Sequence, residues 1–220
     1  MENNRKNMLV TALLFVCFIL FTVAVCKVDV AAIGPQGSSV GFSKLNGALA
    51  KVLPYNKLWY SVSKYLGYFA ILVCVFFAAM GVLEFVGKKS LKKVDPKLIL
   101  LGVFYVAVVA FYVLFNKVVV NYRPVLEDGA LESSFPSSHT MLAVCVFISA
   151  AIELSFGKGG AAFKKAVNVV MVVLSAVMVI TRTLSGVHWL TDIIGGIILS
   201  AALLSMYNAA VQYVSSQQNQ

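Results

Sequence analysis

The sequence predicts an all-α fold, a six-span transmembrane helical bundle with a short outer interfacial helix and both termini on the cytoplasmic side. Three observations point to it. Of the 220 residues, 60% are hydrophobic and only 12% charged, about half the charged fraction of a water-soluble domain, so the chain is too apolar to fold in water. Apolar runs long enough to cross a hydrocarbon layer of about 30 Å recur over roughly 8–26, 62–86, 98–118, 139–156, 165–182 and 190–213. Basic residues crowd the amino terminus and the connections that share its side: Arg5 and Lys6, the group from Lys88 to Lys97, and Lys158, Lys164 and Lys165. The positive-inside rule places that side in the cytoplasm.

The same composition excludes a disordered chain and a disulfide-stapled secreted module. Cys17, Cys26, Cys74 and Cys145 are scattered through apolar runs, so they are expected to be buried packing residues and not a zinc or disulfide framework. A net charge of +9 would suggest nucleic acid in a soluble protein. In a bilayer protein it is explained by loop lysines and a site for anionic groups, and no nucleic-acid partner is expected.

The first run contains only Thr11 and Thr22 as polar side chains. It is longer than the core of a signal peptide and no small-x-small cleavage site follows cleanly, which predicts an uncleaved anchor. The outer segment from Lys27 to Tyr60 opens with the turn formers Gly34-Pro35-Gln36-Gly37-Ser38-Ser39. It then sets Leu45, Leu49, Val52 and Leu53 at helical spacing opposite Lys44, Asn46 and Lys51, the pattern of a short interfacial helix that Pro54 ends. Tyr55, Trp59 and Tyr60 suit an aromatic belt at headgroup depth. No internal repeat is visible, so residues 1–220 are expected to form a single domain.

The outer ends of the later spans carry unusual chemistry. The end of the third has Lys117 and Arg123-Pro124; the start of the fourth has Pro136-Ser137-Ser138-His139; the junction of the last two has Arg182, His188 and Asp192. Both histidines of the chain belong to this set. Ionisable groups at membrane depth are costly and are retained mainly for function. Two guanidinium forks, a serine hydroxyl and the free N–H groups of a helix amino terminus make an oxyanion cradle. His188 and Asp192 are four residues apart, so on a helix they share a face, and the carboxylate can accept from one ring nitrogen while the other attacks. His139 remains as a separate acid. These groups describe phosphoryl transfer through a phosphohistidine. Glu127, Asp128 and Glu132 read as a solvated loop, Glu153 as an interface residue without a role, and no metal-ligand spacing or cofactor motif occurs.

Arg123-Pro124, Pro136-Ser137-Ser138-His139 and Thr181-Arg182-x5-His188-x3-Asp192 resemble the three-part signature of the type 2 phosphatidic acid phosphatase (PAP2) superfamily, whose membrane members are six-helix lipid phosphatases. The resemblance implies His188 as nucleophile, Asp192 as its partner, His139 as general acid, and Arg123, Ser137, Ser138 and Arg182 as phosphate binders. Ser138 stands where the family has glycine and Thr181 where it has serine. The lysine usually seven residues before the arginine is replaced by Asn116, with Lys117 one residue late, so either side chain could serve the cradle. The implied activity is metal-independent hydrolysis of a lipid phosphomonoester or diphosphate at the outer leaflet, of the phosphatidic acid, phosphatidylglycerol phosphate or undecaprenyl diphosphate type. A lipid phosphotransferase shares the first half-reaction. An anionic-substrate transporter is the reading from another class, and the gathering of charge at one face instead of the midplane speaks against it.

Overall fold

The computed structural model describes residues 2–157 and 159–218; Lys158, counted above among the basic loop residues, lies outside them. Seven helices follow in order: α1 (Glu2–Lys27), α2 (Ser43–Val52), α3 (Lys57–Lys88), α4 (Pro96–Lys117), α5 (Ser138–Phe156), α6 (Ala161–Leu184) and α7 (Leu190–Gln218). All but α2 are long and apolar enough to cross a membrane, which makes this an all-helical, multi-pass membrane protein. Among the described residues, extended pairing is limited to isolated bridges, including Tyr122 with Ser133.

Local chemistry sets the helix ends. Asp95 caps α4 by accepting from the Lys97 N–H at 3.0 Å, with Pro96 in the first turn. Asn56 caps α3 by accepting from the N–H groups of Leu58 (3.0 Å) and Trp59 (3.2 Å). That cap starts α3 five residues before the predicted span. At about 1.5 Å per residue, its 32 residues extend about 48 Å, so the helix projects beyond a hydrocarbon core and carries Tyr60 with it.

The bundle is built around α5 and α7. Half of α5's apolar window is buried, against 11% for α1 and for α3. Helix α5 packs on α6, α7, α3 and α4, while α1 lies along α7. Small residues on α5, among them Ala143, Ser149 and Ala150, are fully buried and let neighbouring helices approach closely. Gly195 serves the same end on α7: a Cβ there would meet the Phe135 ring at 2.4 Å. Phe135 in turn fits among Phe18, Phe21 and Phe115, joining the segment before α5 to α1, α4 and α7.

Thr11 Oγ1 lies 2.8 Å from Ser205 Oγ, and Asn7 donates to Gln212 at 2.8 Å, so the start of α1 meets the end of α7. The Lys97 ammonium sits 4.6 Å from the Phe156 ring centre, joining the start of α4 to the end of α5.

Three expectations change. Cys17 and Cys26 are exposed on α1 and only Cys145 is buried, because α1 uses one narrow face against α7 and leaves the rest uncovered. Helix α2 forms as predicted and ends before Pro54, but Asn46, assigned to its polar face, is buried. Its amide donates to Thr191 Oγ1 (3.0 Å) and to the Gly41 carbonyl (2.7 Å), and its Oδ1 accepts from the Thr191 N–H at 3.3 Å. A partnered polar face therefore docks α2 on the start of α7, and Leu45 and Val52 stay exposed. Tyr60 turns from the expected aromatic belt into the site.

Candidate active site

Three chain segments meet at one end of the bundle: the loop after α4, the start of α5 and the α6–α7 turn. Their connections are specific. The Ser137 N–H donates to the Asp192 carbonyl at 2.9 Å, the Ser134 N–H to the Asn121 carbonyl at 2.9 Å, and the Arg123 N–H to the Glu132 carbonyl at 3.0 Å. Trp189 Nε1 donates to the Tyr122 carbonyl at 2.7 Å, and the Asn56 N–H to the Ser185 carbonyl at 3.0 Å. The backbone thus joins segments far apart in sequence, and a side-chain bond from Asn121 to Asp192 adds a link across 71 residues.

Arg182, in the last turn of α6, is fully buried. Its Nη1 donates to Ser63 Oγ at 3.3 Å, its Nη2 lies 3.1 Å from His188 Nε2, and the Tyr60 ring is 5.5 Å from its guanidinium carbon. Its Nε has no partner, and neither do the buried Ser137 Oγ and Thr140 Oγ1. Each orphaned buried donor costs about 1–3 kcal/mol, and Arg182 and Ser137 belong to two of the segments that meet here, whereas Thr140 packs against Gly196 of α7. Ser137 stands at the N-cap position of α5 without making a side-chain cap bond, which leaves its hydroxyl for a ligand. Ser138 opens the helix and contributes an amino-terminal N–H.

His188 and Asp192 come together, although not on one helix face. His188 lies in the turn ahead of α7, and its Nδ1 stands 3.7 Å from Asp192 Oδ2, beyond hydrogen-bond reach. Ser134 occupies the interval: its Oγ is 2.9 Å from His188 Nδ1 and 2.5 Å from Asp192 Oδ2. Asp192 also accepts from Asn121 Nδ2 at 3.2 Å and from the Trp189 N–H at 2.9 Å. Burial first, then the charges of Arg182 and Arg123 and the proximity of His139, hold the His188 pKa well below the ordinary histidine value. The imidazole is therefore neutral at pH 7. His139, in the first turn of α5, packs against Gly67 of α3, where a Cβ would stand 3.0 Å from its Cδ2 and 3.5 Å from its Nε2.

Arg123 differs from Arg182 in its company. Its guanidinium pairs with Glu127, lies 3.2 Å from Glu132 Oε2 and reaches the Ser133 carbonyl at 3.5 Å. The Tyr60 hydroxyl donates to Glu127. Glu127 and Glu132 are thus held on the cradle, against the expectation of a solvated loop. Burial raises the Glu127 pKa, but the Tyr60 hydroxyl, Glu132 and the Arg123 charge outweigh it and leave it lowered. Glu132 is raised, first by Glu127 and then by burial. Lys117, the last residue of α4, is exposed and makes none of these contacts among the described residues. Asn116 is also exposed, and its Oδ1 accepts from Ser133 Oγ at 2.9 Å.

Sequence reasoning missed Ser134, Asn121 and Tyr60. Polar residues flanking the motif were the only available signal for the first two. Tyr60 resembled a membrane-interface aromatic until the length of α3 placed it here. Among the described residues, no three His, Cys, Asp or Glu side chains converge as a metal cage.

Two buried arginines, a neutral histidine and unpartnered hydroxyl and guanidinium donors thus lie in a polytopic helical bundle, which defines the class as a multi-pass membrane protein. A family model of the PAP2 superfamily matches residues 69–216, and the chain belongs to that superfamily. Its fold is similar to the crystal structure of a transmembrane PAP2 type phosphatidylglycerolphosphate phosphatase from Bacillus subtilis, at a TM-score of 0.65 and 20% identity over 93% of this chain and 96% of that one. LpxE from Aquifex aeolicus aligns at a TM-score of 0.43 and 20% identity, over 75% of this chain and 96% of that one. No curated protein sequence matches.

Proposed function

We propose that the protein is a lipid phosphatase, hydrolysing a lipid phosphomonoester or diphosphate through a phosphohistidine on His188 without a metal ion. The observation that carries this reading is the set of orphaned donors, Ser137 Oγ and Arg182 Nε, beside a neutral histidine whose Nε2 already faces Arg182. A phosphoryl group supplies the oxygens those donors lack.

In this reading Nε2 of His188 attacks phosphorus while the bond to the leaving oxygen breaks, and His139 gives that oxygen its proton. Charge on the equatorial oxygens is taken up by Arg182, Arg123, Ser137 Oγ and the N–H groups at the start of α5, including that of Ser138. Lys117, exposed at the end of α4 and without a contact to these groups, is assigned only an auxiliary electrostatic role. Water then attacks phosphorus, His139 takes its proton, and the N–P bond breaks to release phosphate and restore neutral His188. Six spans place the pocket at the end of the bundle away from the lysine-rich connections. We assign it to the extracytoplasmic face of the cell membrane, with both termini inside and residues 1–220 forming one domain. The lipid would be of the phosphatidic acid, phosphatidylglycerol phosphate or undecaprenyl diphosphate type.

Phosphate release from a panel of those three lipids in micelles or liposomes tests the proposal. Turnover is expected to survive excess EDTA, to be inhibited by vanadate, and to vanish in His188→Ala. Turnover retained by that variant, or lost in EDTA and restored by magnesium, overturns it.

A further inference from the structure

Ser134 is a buried site residue to which hydrolysis as described gives no task. It is 2% exposed, and its hydroxyl contacts two ionisable side chains, His188 and Asp192. Several other buried or half-buried serines in the bundle, Ser155, Ser175 and Ser200 among them, spend their hydroxyls on a backbone carbonyl one turn back. Ser134 does not, so packing alone does not account for it.

Hydrogen positions follow from what each partner is able to donate. Arg182 has no acceptor, so its Nη2, 3.1 Å from His188 Nε2, must be the donor and Nε2 the lone pair. A neutral imidazole with a lone pair on Nε2 carries its hydrogen on Nδ1. That hydrogen points to Ser134 Oγ at 2.9 Å, and Ser134 then has its own hydrogen to give to Asp192 Oδ2 at 2.5 Å. With Asp192 as the carboxylate, no other assignment places a donor opposite an acceptor at every contact. The direct His188–Asp192 separation of 3.7 Å is too long to replace the relay. Asp192 is itself fixed by Asn121 and the Trp189 N–H, so it does not depend on the histidine for its position.

We propose that Ser134 is a positioning residue that links Asp192 to His188 and, together with the Arg182 contact at Nε2, holds the imidazole in the tautomer that turns the Nε2 lone pair toward the phosphate cradle. The proposal rests on the reading of His188 as nucleophile. When Nε2 takes the phosphoryl group the ring gains positive charge, and the Asp192 carboxylate acts on it through one intervening hydroxyl. A carboxylate one atom further away stabilises the intermediate less and so lets water discharge it more readily.

The chain has two histidines, so ¹⁵N-histidine spectra of the full-length protein in micelles resolve His188 once His139→Ala has assigned the other signal. The wild-type protein is expected to show the Nδ1–H tautomer, and Ser134→Ala a mixture with the Nε2–H form. On the best lipid of the panel, Ser134→Ala should lower kcat about 10- to 100-fold with little change in KM, the usual scale for an outer partner of a reactive histidine. Ser134→Thr, which keeps the hydroxyl, should restore the tautomer and most of the rate. The double variant Ser134→Ala/Asp192→Asn should be no slower than Asp192→Asn alone, because both changes cut the same link. An unchanged tautomer in Ser134→Ala overturns the relay whatever the rate, and so do losses that multiply in the double variant. Turnover persisting in His188→Ala would remove the nucleophile reading instead, while the tautomer measurement, which needs no substrate, still decides the relay.

Discussion

The floor and the rim of the pocket use the same ingredients in opposite ways. At the floor, Arg182 is sealed by Tyr60 and Ser63, and its Nε has no partner. At the rim, Arg123 is held by two carboxylates of its own loop. The floor is preorganised: its donors are already desolvated and lack only an acceptor. On the proposed function the rim is an exchange site, where an incoming phosphate must displace Glu127 and Glu132 before Arg123 can bind it. On that reading the guanidinium with a free donor sets the rate of the chemical step, and the one already paired with carboxylates sets how readily the anion enters.

The strongest way to break this comparison is at the floor. His188→Ala is expected to abolish turnover, a loss on the order of 10⁴-fold or more, together with covalent labelling by radioactive substrate phosphate. Arg123→Ala should cost about 100- to 1,000-fold in rate, on the scale of a lost oxyanion donor. If Arg123→Ala is as harmless as a surface change, the rim is not part of the cradle.

Smaller effects sharpen the boundary. Lys117→Ala should lower the rate by about tenfold or less, with Asn116→Ala milder still; a Lys117 variant as inactive as the Arg123 one would extend the cradle to α4. Glu127→Gln should move the other way, raising kcat/KM about two- to fivefold, since it removes the charge of a carboxylate that competes with the substrate for Arg123. A loss of that size or larger in Glu127→Gln would make the carboxylate a participant instead of a competitor.

The smallest effect is on stability. His188 has a lowered pKa in the folded protein, so the unfolded chain binds a proton that the fold refuses. Stability should be intact above the unfolded pKa of about 6.5 and fall as pH drops below it. Thermal unfolding in detergent at pH 7.5 and pH 5.5 reads this, and His188→Gln should flatten the dependence.

How much of this was legible in the sequence follows the same division. The six spans were visible because hydrocarbon thickness imposes length and apolarity on each helix independently. Arg182, His188 and Asp192 were visible because their spacing lies within one turn region, and structure changed only their geometry by starting α7 after His188. Tyr60 and Glu127 were not visible, since 67 residues separate them and neither carries a motif. Asn46 was misplaced because amphipathic spacing scores a buried amide as polar surface, whereas its two bonds to Thr191 make it a docking contact. Interactions that are local in sequence reveal themselves by pattern; those that join distant helices do not.

The contact between α1 and α7 has a consequence for biosynthesis. Asn7 and Gln212 are 205 residues apart, and at a translation rate of about 5–20 residues per second the first helix waits roughly 10 to 40 s for its partner. During that interval Thr11 keeps its bond to the Asn7 carbonyl one turn back, but the Asn7 amide, later bonded to Gln212, has only lipid headgroups, water or a helper protein to satisfy it. A nascent chain halted before Leu190 should therefore leave α1 loosely held and accessible to membrane-embedded crosslinkers, and release of the arrest should close that access within the time it takes α7 to emerge.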